Sequence, residues 1–244
     1  MTHSKKIALV TGATRGIGLE TVRQLAAAGV HTLLAGRSRD SAVKAALSLQ
    51  AEGLPVEAIA LDVTDAASIS AAAATVAKAH GHLDILVNNA GILADDPTRM
   101  VSEQTLDSWR RTFETNVFGL VAVTQAFLPL LHRSEAGRIV NVSSILGSVA
   151  LHGDPASPIY DFKLPAYNVS KSAVNAWTVQ LAYELRDSRI RVNAIHPGYV
   201  RTDMNAGEGA MDIPEGARTS VRLALVGEDG PQGGFFHFED RLPW

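Results

Sequence analysis

Cysteine is absent from the 244-residue chain. That excludes disulfides, thiolate-held metals and a cysteine nucleophile, and it fits a reducing, cytoplasmic setting. A strong charge of one sign is also lacking. Lys and Arg number 22 against 25 Asp and Glu, for a net charge of -3. No basic face is implied, so no nucleic-acid partner is expected. No segment approaches the roughly 18 apolar residues of a membrane span. Lys5 and Lys6 precede an apolar run, but Gly12 interrupts it after Ile7–Thr11, too early for a signal peptide. The 8 histidines are scattered, with no H-E-x-x-H and no acidic cluster at ligand spacing, so no metal site is expected. Repeats, linkers and low-complexity segments are missing as well, which leaves residues 1–244 as one expected domain.

What the chain does contain is an alternation. Short runs apolar on both faces are predicted as strands: Lys6–Thr11, Thr32–Arg37, Val56–Asp62, Leu83–Asn88, Arg138–Ser143, Arg191–His196 and Gly234–Phe238. Helical patterns lie between them at Ile17–Ala28, Ser41–Glu52, Asp65–His80, Ser102–His132, Tyr167–Arg186 and Pro214–Leu225. Gly29, Gly53 and Gly81 stand where helices end. The alternation predicts an α/β fold, a single Rossmann-type doubly wound parallel sheet of about seven strands with helices on both faces. Two irregular stretches, residues 147–165 and 199–213, each follow a strand. They belong at the carboxyl edge of the sheet, where such folds bind ligands.

The first strand runs into TGATRGIG at 11–18, with glycines at 12, 16 and 18. A glycine loop between the first strand and first helix lets backbone approach a pyrophosphate at the helix N-terminus. At the end of the second strand an NAD site would present an acid to the ribose hydroxyl. This chain reads AGRSR there. Arg15 and Arg37 suit a 2′-phosphate instead, so the expected cofactor is NADPH/NADP+. The bland alternative is two solvated arginines.

One more short stretch, YNVSK at 167–171, sets a phenol one helical turn before an ammonium. An opposite charge at that distance lowers a phenol's pKa from its ordinary value near 10. Tyr167 also lies near a helix N-terminus, which favours its anion. Tyr160 and Lys163 form a rival pair, three residues apart and off the predicted helix.

Together these runs resemble the short-chain dehydrogenase/reductase family over nearly the whole chain. TGATRGIG, Leu61-Asp62-Val63, NNAG at 88–91, Asn116 in ETNVFG, VNVSS at 140–144, YNVSK and HPGYVRTDM at 196–204 stand in the family's order. The ending, from PGYVRTDM through PEGA to Trp244, is most similar to the carbonyl-reductase branch. Ser144 lies farther ahead of Tyr167 than in many members, and 147–165 reads as an insertion with no helix of its own.

The resemblance implies catalysis by Asn116, Ser144, Tyr167 and Lys171. It implies cofactor contacts from Gly12, Thr14, Arg15, Gly16, Ile17, Gly18, Arg37, Asp62, Val63, Asn89, Ala90 and Gly91. Tyr167, Lys171, Pro197, Gly198, Val200 and Thr202 complete that set. Lys171 would also bond the nicotinamide ribose, Ser144 the substrate oxygen, and Asn116 a water leading to Lys171. The implied activity is NADPH-dependent reduction of ketones or aldehydes, small-molecule carbonyl substrates, with 199–213 as a substrate lid. Reduction of quinones or of a more specific keto substrate is the alternative; a non-catalytic NADPH-binding sensor is a second one. Apolar surface beyond one stripe on the helices at 102–132 and 167–186 predicts a homodimer or tetramer, unless the insertion covers it and leaves a monomer.

Overall fold

The computed structural model describes residues 5–244. Residues 1–4, counted above in the expected domain, lie outside the described residues. The strands are β1 (Ile7–Val10), β2 (His31–Gly36), β3 (Val56–Ala60), β4 (Ile85–Asn88), β5 (Arg138–Val142), β6 (Arg191–Ile195), β7 (Phe235–His237) and β8 (Asp240–Arg241). They form one sheet in the order β3-β2-β1-β4-β5-β6-β7-β8. All pairings are parallel except β7 with β8. Between β1 and β4 the winding reverses, which opens a crevice at the strands' carboxyl ends.

The helices are α1 (Gly16–Ala27), α2 (Arg39–Ala51), α3 (Ala66–His80), α4 (Leu106–Phe113), α5 (Leu120–Leu131), α6 (Val149–His152), α7 (Pro165–Glu184) and α8 (Ile213–Ala224). Both faces of the sheet are covered, which is why its strands carry no polar alternation. Leu9, Leu33, Leu86, Ile139 and Val192 pack with α3, α5 and α7. Ala8, Val10, Leu34, Val87, Val140 and Ile195 pack on the other side with α1, α2 and α8. Gly29, Gly53 and Gly81 all have positive φ at the helix ends, as expected.

The differences from the sequence reading have local causes. The helix expected at 102–132 begins later, at Leu106, because Thr105 caps it by accepting from Ser108 N at 3.1 Å. A π turn, Glu114–Gly119, then links α4 to α5. The resulting rod, Leu106–Leu131, is long and apolar enough to cross a membrane by length and composition, where no such segment was expected. Val123, Phe127 and Leu131 on this rod are fully buried against the sheet, whereas Leu106 and Phe118 are exposed. The insertion does contain a helix, the single turn α6, capped by Ser148. The eighth strand is a two-residue hairpin return, entered through Phe238 at φ 47.

Candidate active site

Each cofactor-loop residue sits at the carboxyl end of a strand. Gly12 follows β1 with φ 62, and a Cβ there would lie 2.8 Å from Ala90 Cα. Both the conformation and the close approach therefore demand glycine. The two loops are tied together by Thr11. Its hydroxyl accepts from Asn89 N and Ala90 N, each at 3.0 Å, and Asn89 Nδ2 returns a bond to Thr11 O at 2.9 Å. Thr11 was not singled out as a site residue, since its effect is exerted through a loop 78 positions away.

An open hollow of about 570 Å³ lies beside this loop, lined by Thr14, Arg15, Arg37, Ser38, Ser41 and Asp62. The donor set, two guanidiniums and three hydroxyls, fits a phosphorylated ribose. Arg15 is already engaged: its Nη1 lies 2.9 Å from Asp203 Oδ2, with both side chains about three-quarters exposed. Arg37 has no carboxylate within salt-bridge distance among the described residues. The hollow also holds the Asp62 carboxylate, whose Oδ1 accepts from Thr64 N and Oγ1. Val63, next in sequence, is buried against the helical rod, where a Cβ on Gly119 would meet Val63 O at 2.7 Å. Ile17 and Gly18 open α1 inside the loop.

On the other side stands the segment 197–213. Val200 and Met211 bridge, Arg201 N donates to Met211 O, and Met211 N donates to Tyr199 O. The segment is thus a small closed loop on its own hydrogen bonds. It follows Pro197 and Gly198, the latter at φ 96. Thr202 reaches across, its Cγ2 being the one atom within 4.0 Å of a Cβ built on Gly16. With Arg15–Asp203, this clasps the segment to the glycine loop.

The four residues implied in catalysis come together where β4, β5 and α7 meet. Lys171 is 4% exposed and donates from Nζ to Val142 O at 2.7 Å. A Cβ on Gly91 would meet Asn116 Oδ1 at 3.4 Å and Lys171 Nζ at 3.6 Å, so these groups flank one loop. Ser144 caps the turn after β5 by accepting from Leu146 N at 3.2 Å, and its hydroxyl draws the pKa of the neighbouring Tyr167 phenol down. Its neighbour Ser143 faces the other way, donating to Lys171 O. Tyr160 and Lys163 meet elsewhere, in the insertion, with Nζ 4.7 Å above the ring.

One expectation changes. Burial pushes the Tyr167 phenol up to about 12, opposed by the hydrogen bond from Ser144. The sequence reading had the lysine lowering it. Lys171 is itself buried, 5.6 Å from the ring centroid, and burial pulls it down to about 8. Desolvation of the phenolate outweighs an ammonium at that distance. Asn116 is anchored by its amide. Nδ2 donates to Ile92 O and Ser170 Oγ, and Oδ1 accepts from Ile92 N. A π turn, the irregularity that holds it there, often marks functional positions.

Asp95 is the residue the sequence reading missed. Helix α7 has no side-chain cap of its own. The buried Asp95 carboxylate supplies one from 71 positions away, accepting from Ala166 N at 2.8 Å and Tyr167 N at 2.9 Å. It fixes the first turn of the helix that carries Tyr167. Asp95→Ala is expected to lower stability by about 1–3 kcal/mol, the range for stranding buried backbone donors. Urea denaturation measures it, and a loss under about 0.5 kcal/mol would remove the capping role.

The insertion packs beside that helix. Asn168 Nδ2 donates to Phe162 O at 2.8 Å, and His152 Nε2 lies 3.0 Å from Leu146 O. His196 packs 5.0 Å from the His237 ring, its pKa held near 3 by burial and by that neighbour. Histidines that sequence spacing left scattered do gather at one place, His31 and His80 with Glu57.

A doubly wound sheet with a glycine loop at its reversal point, and serine, tyrosine and lysine at the same edge, defines a Rossmann-type oxidoreductase. The profile of the family described as short chain dehydrogenase matches residues 6–212. The chain is 41% identical over 232 residues to Short-chain dehydrogenase anuI of Penicillium roqueforti, spanning 92% of this chain and 90% of that one. It is 34% identical over 288 residues to (+)-neomenthol dehydrogenase of Arabidopsis thaliana, spanning 96% of each. Among solved structures, NADPH-bound carbonyl reductase from chicken fatty liver is similar, with a TM-score of 0.85 at 29% identity over 98% of this chain and 99% of that one. The chain belongs to the short-chain dehydrogenase family and is of the carbonyl-reductase-like type.

Proposed function

We propose that the protein is an NADPH-dependent reductase of ketones or aldehydes with Tyr167 as proton donor. The observation that carries this reading is the placement of the half-buried Tyr167 one turn ahead of the buried Lys171 on α7, beside Ser144 at the crevice, with the phenol pushed up to about 12. The two relatives named for neomenthol dehydrogenation and carbonyl reduction support the substrate class. The NADPH held by the chicken carbonyl reductase supports the cofactor.

When bound, the cofactor supplies hydride. Arg37 would hold its 2′-phosphate, the glycine loop its pyrophosphate, and Lys171 its nicotinamide ribose. Ser144 would orient the substrate oxygen and stabilise charge developing there. Tyr167 would give that oxygen its proton. Asn116 would act through position, keeping the loop at Ile92 beside Lys171, with a second lone pair on Oδ1 for a water. Tyr199 and Met204, each about half exposed on the lid, offer an adaptable apolar wall.

The test is NADPH oxidation against aryl ketones, ketoesters, aldehydes and quinones. Turnover of the quinones alone would favour the alternative substrate class, and none at all the non-catalytic sensor. In the same assay Arg37→Asp should raise the NADPH KM about 5–150-fold, equivalent to about 1–3 kcal/mol, and change that for NADH little. Equal effects on both cofactors would remove the 2′-phosphate role.

A homo-oligomer is part of the proposal. Phe118, Val169, Val179 and Tyr183 lie exposed on the rod and on α7. Light scattering at micromolar concentration should give a multiple of 25.9 kDa. A single-chain mass would point to a monomer.

A further inference from the structure

At the sheet edge opposite the crevice, three side chains from three elements converge. His31 opens β2, Glu57 is the second residue of β3, and His80 ends α3. Glu57 pairs with Leu33, and alternation puts His31 on the same face as Leu33. That is the face α3 covers, since Leu33 packs with Ile69, Ala72 and Val76.

Both imidazoles address one carboxylate oxygen. His31 Nε2 lies 3.3 Å and His80 Nε2 3.5 Å from Glu57 Oε2. The three donor atoms fall within 4.8 Å of one another, the sole such group among the described residues. The histidines are half-buried and the glutamate is exposed, so one side stays open to water.

We propose that His31, Glu57 and His80 bind a divalent transition-metal ion, Zn2+ above all, with water as fourth ligand. Tetrahedral zinc with bonds of about 2.0–2.1 Å sets its donor atoms roughly 3.4 Å apart. Both histidine–glutamate distances already match. Only the two imidazoles must close, by a side-chain rotation of tilted rings now 5.4 Å apart. Two imidazoles and a carboxylate suit zinc and its neighbours, whereas calcium and magnesium take oxygen sets. The nearby His82 is engaged by Asp84 at 3.2 Å and does not join the group.

The position says what the ion would do. β3 is the edge strand of the sheet. A metal on Glu57 would pin it to β2 and to the end of α3. The crevice lies at the far end of the strands, about 15–20 Å away. The ion is therefore a clamp on the fold and takes no part in turnover.

The experiment uses tag-free full-length protein, stripped with a chelator and titrated with Zn2+ alone by calorimetry and thermal melting. One ion per chain should bind, and at a hundredfold excess over Kd the Tm should rise by about 5–10 °C. His31→Ala, His80→Ala and Glu57→Gln should each weaken binding at least tenfold, with turnover unchanged. Co2+ in place of Zn2+ should give the visible absorption of a tetrahedral site in the wild type and not in the variants. Binding that survives in the two histidine variants and in Glu57→Gln, or a Tm that Zn2+ does not raise, would overturn the site. The three residues would then be a hydrogen-bonded cluster only.

Discussion

Replacing Tyr167 by Phe is expected to reduce turnover about 10²–10⁴-fold while leaving NADPH binding nearly unchanged. The substitution keeps the ring and deletes the hydroxyl, so packing in the first turn of α7 is preserved. The Asp95 cap is preserved too, because it holds the backbone N–H of this residue and not its side chain. What is lost is the group that gives the substrate oxygen its proton. The phenol lies well above its ordinary pKa because its anion is desolvated, so it is fully protonated through neutral pH. For reduction that is the useful state. It also leaves little phenolate to act as the base in the reverse oxidation, which should need higher pH. Single-turnover rates with saturating NADPH provide the measurement. A variant that keeps more than a tenth of the normal rate would sink the assignment and bring Tyr160 forward.

Lys171→Met is expected to do two opposite things. Turnover should fall by about 10² or more, since the ammonium beside Gly91 is lost. Stability at pH 7 should rise by about 1–3 kcal/mol, because a buried charge is replaced by an apolar chain of similar length. The sign follows from the pKa. Lys171 titrates near 8 when folded and near 10.5 as the free side chain. Between those values the unfolded chain binds more protons, so this group makes the wild type more stable as pH rises through that window. Above pH 10 Tyr167 works in reverse: its folded value is raised to about 12, so its contribution is lost as the unfolded phenol ionises. The slope between pH 8 and 10 should therefore flatten in the variant. Loss of the donor to Val142 O subtracts from the gain. Guanidinium denaturation at pH 7 and 9.5 decides it; a variant less stable than wild type at pH 7 would refute the buried-charge account. In the wild type, kcat/KM for reduction should decline above about pH 8 as Lys171 loses its proton.

Much of this molecule is legible because its motifs are contiguous. IALV into TGATRG, ILVN into NAG and IVNV into SS each place a strand and its terminal loop in one short run. A strand buried on both faces announces itself by lacking polar alternation, and a loop at its end inherits the crevice. Hence the sheet, the glycine loop at its crevice and the Tyr167–Lys171 pair follow from adjacency along the chain, whereas the sequence joined Ser144 to that pair only through its family resemblance. Ser144 over Ser143 is a case of period two: successive residues of a strand face opposite ways, and the structure turns Ser143 toward Lys171 O.

Other features depend on residues that only folding brings together. Asp95 caps a helix 71 positions on, and Asp203 reaches Arg15 from 188 positions away. No periodicity records either contact. The π turn at Asn116 is likewise invisible in ETNVFG, since one extra residue in a turn leaves the apolar pattern on both sides intact. The sequence by itself determined the fold class, the glycine loop and the one-turn spacing of Tyr167 and Lys171, because these rest on burial pattern and local backbone geometry. The tertiary structure decided the direction of the Tyr167 shift, the partner of Arg15, the cap on α7 and the grouping of His31, Glu57 and His80. The physical reason is the same in each case. Desolvation and distance between remote side chains exist only once the sheet has closed under its helices.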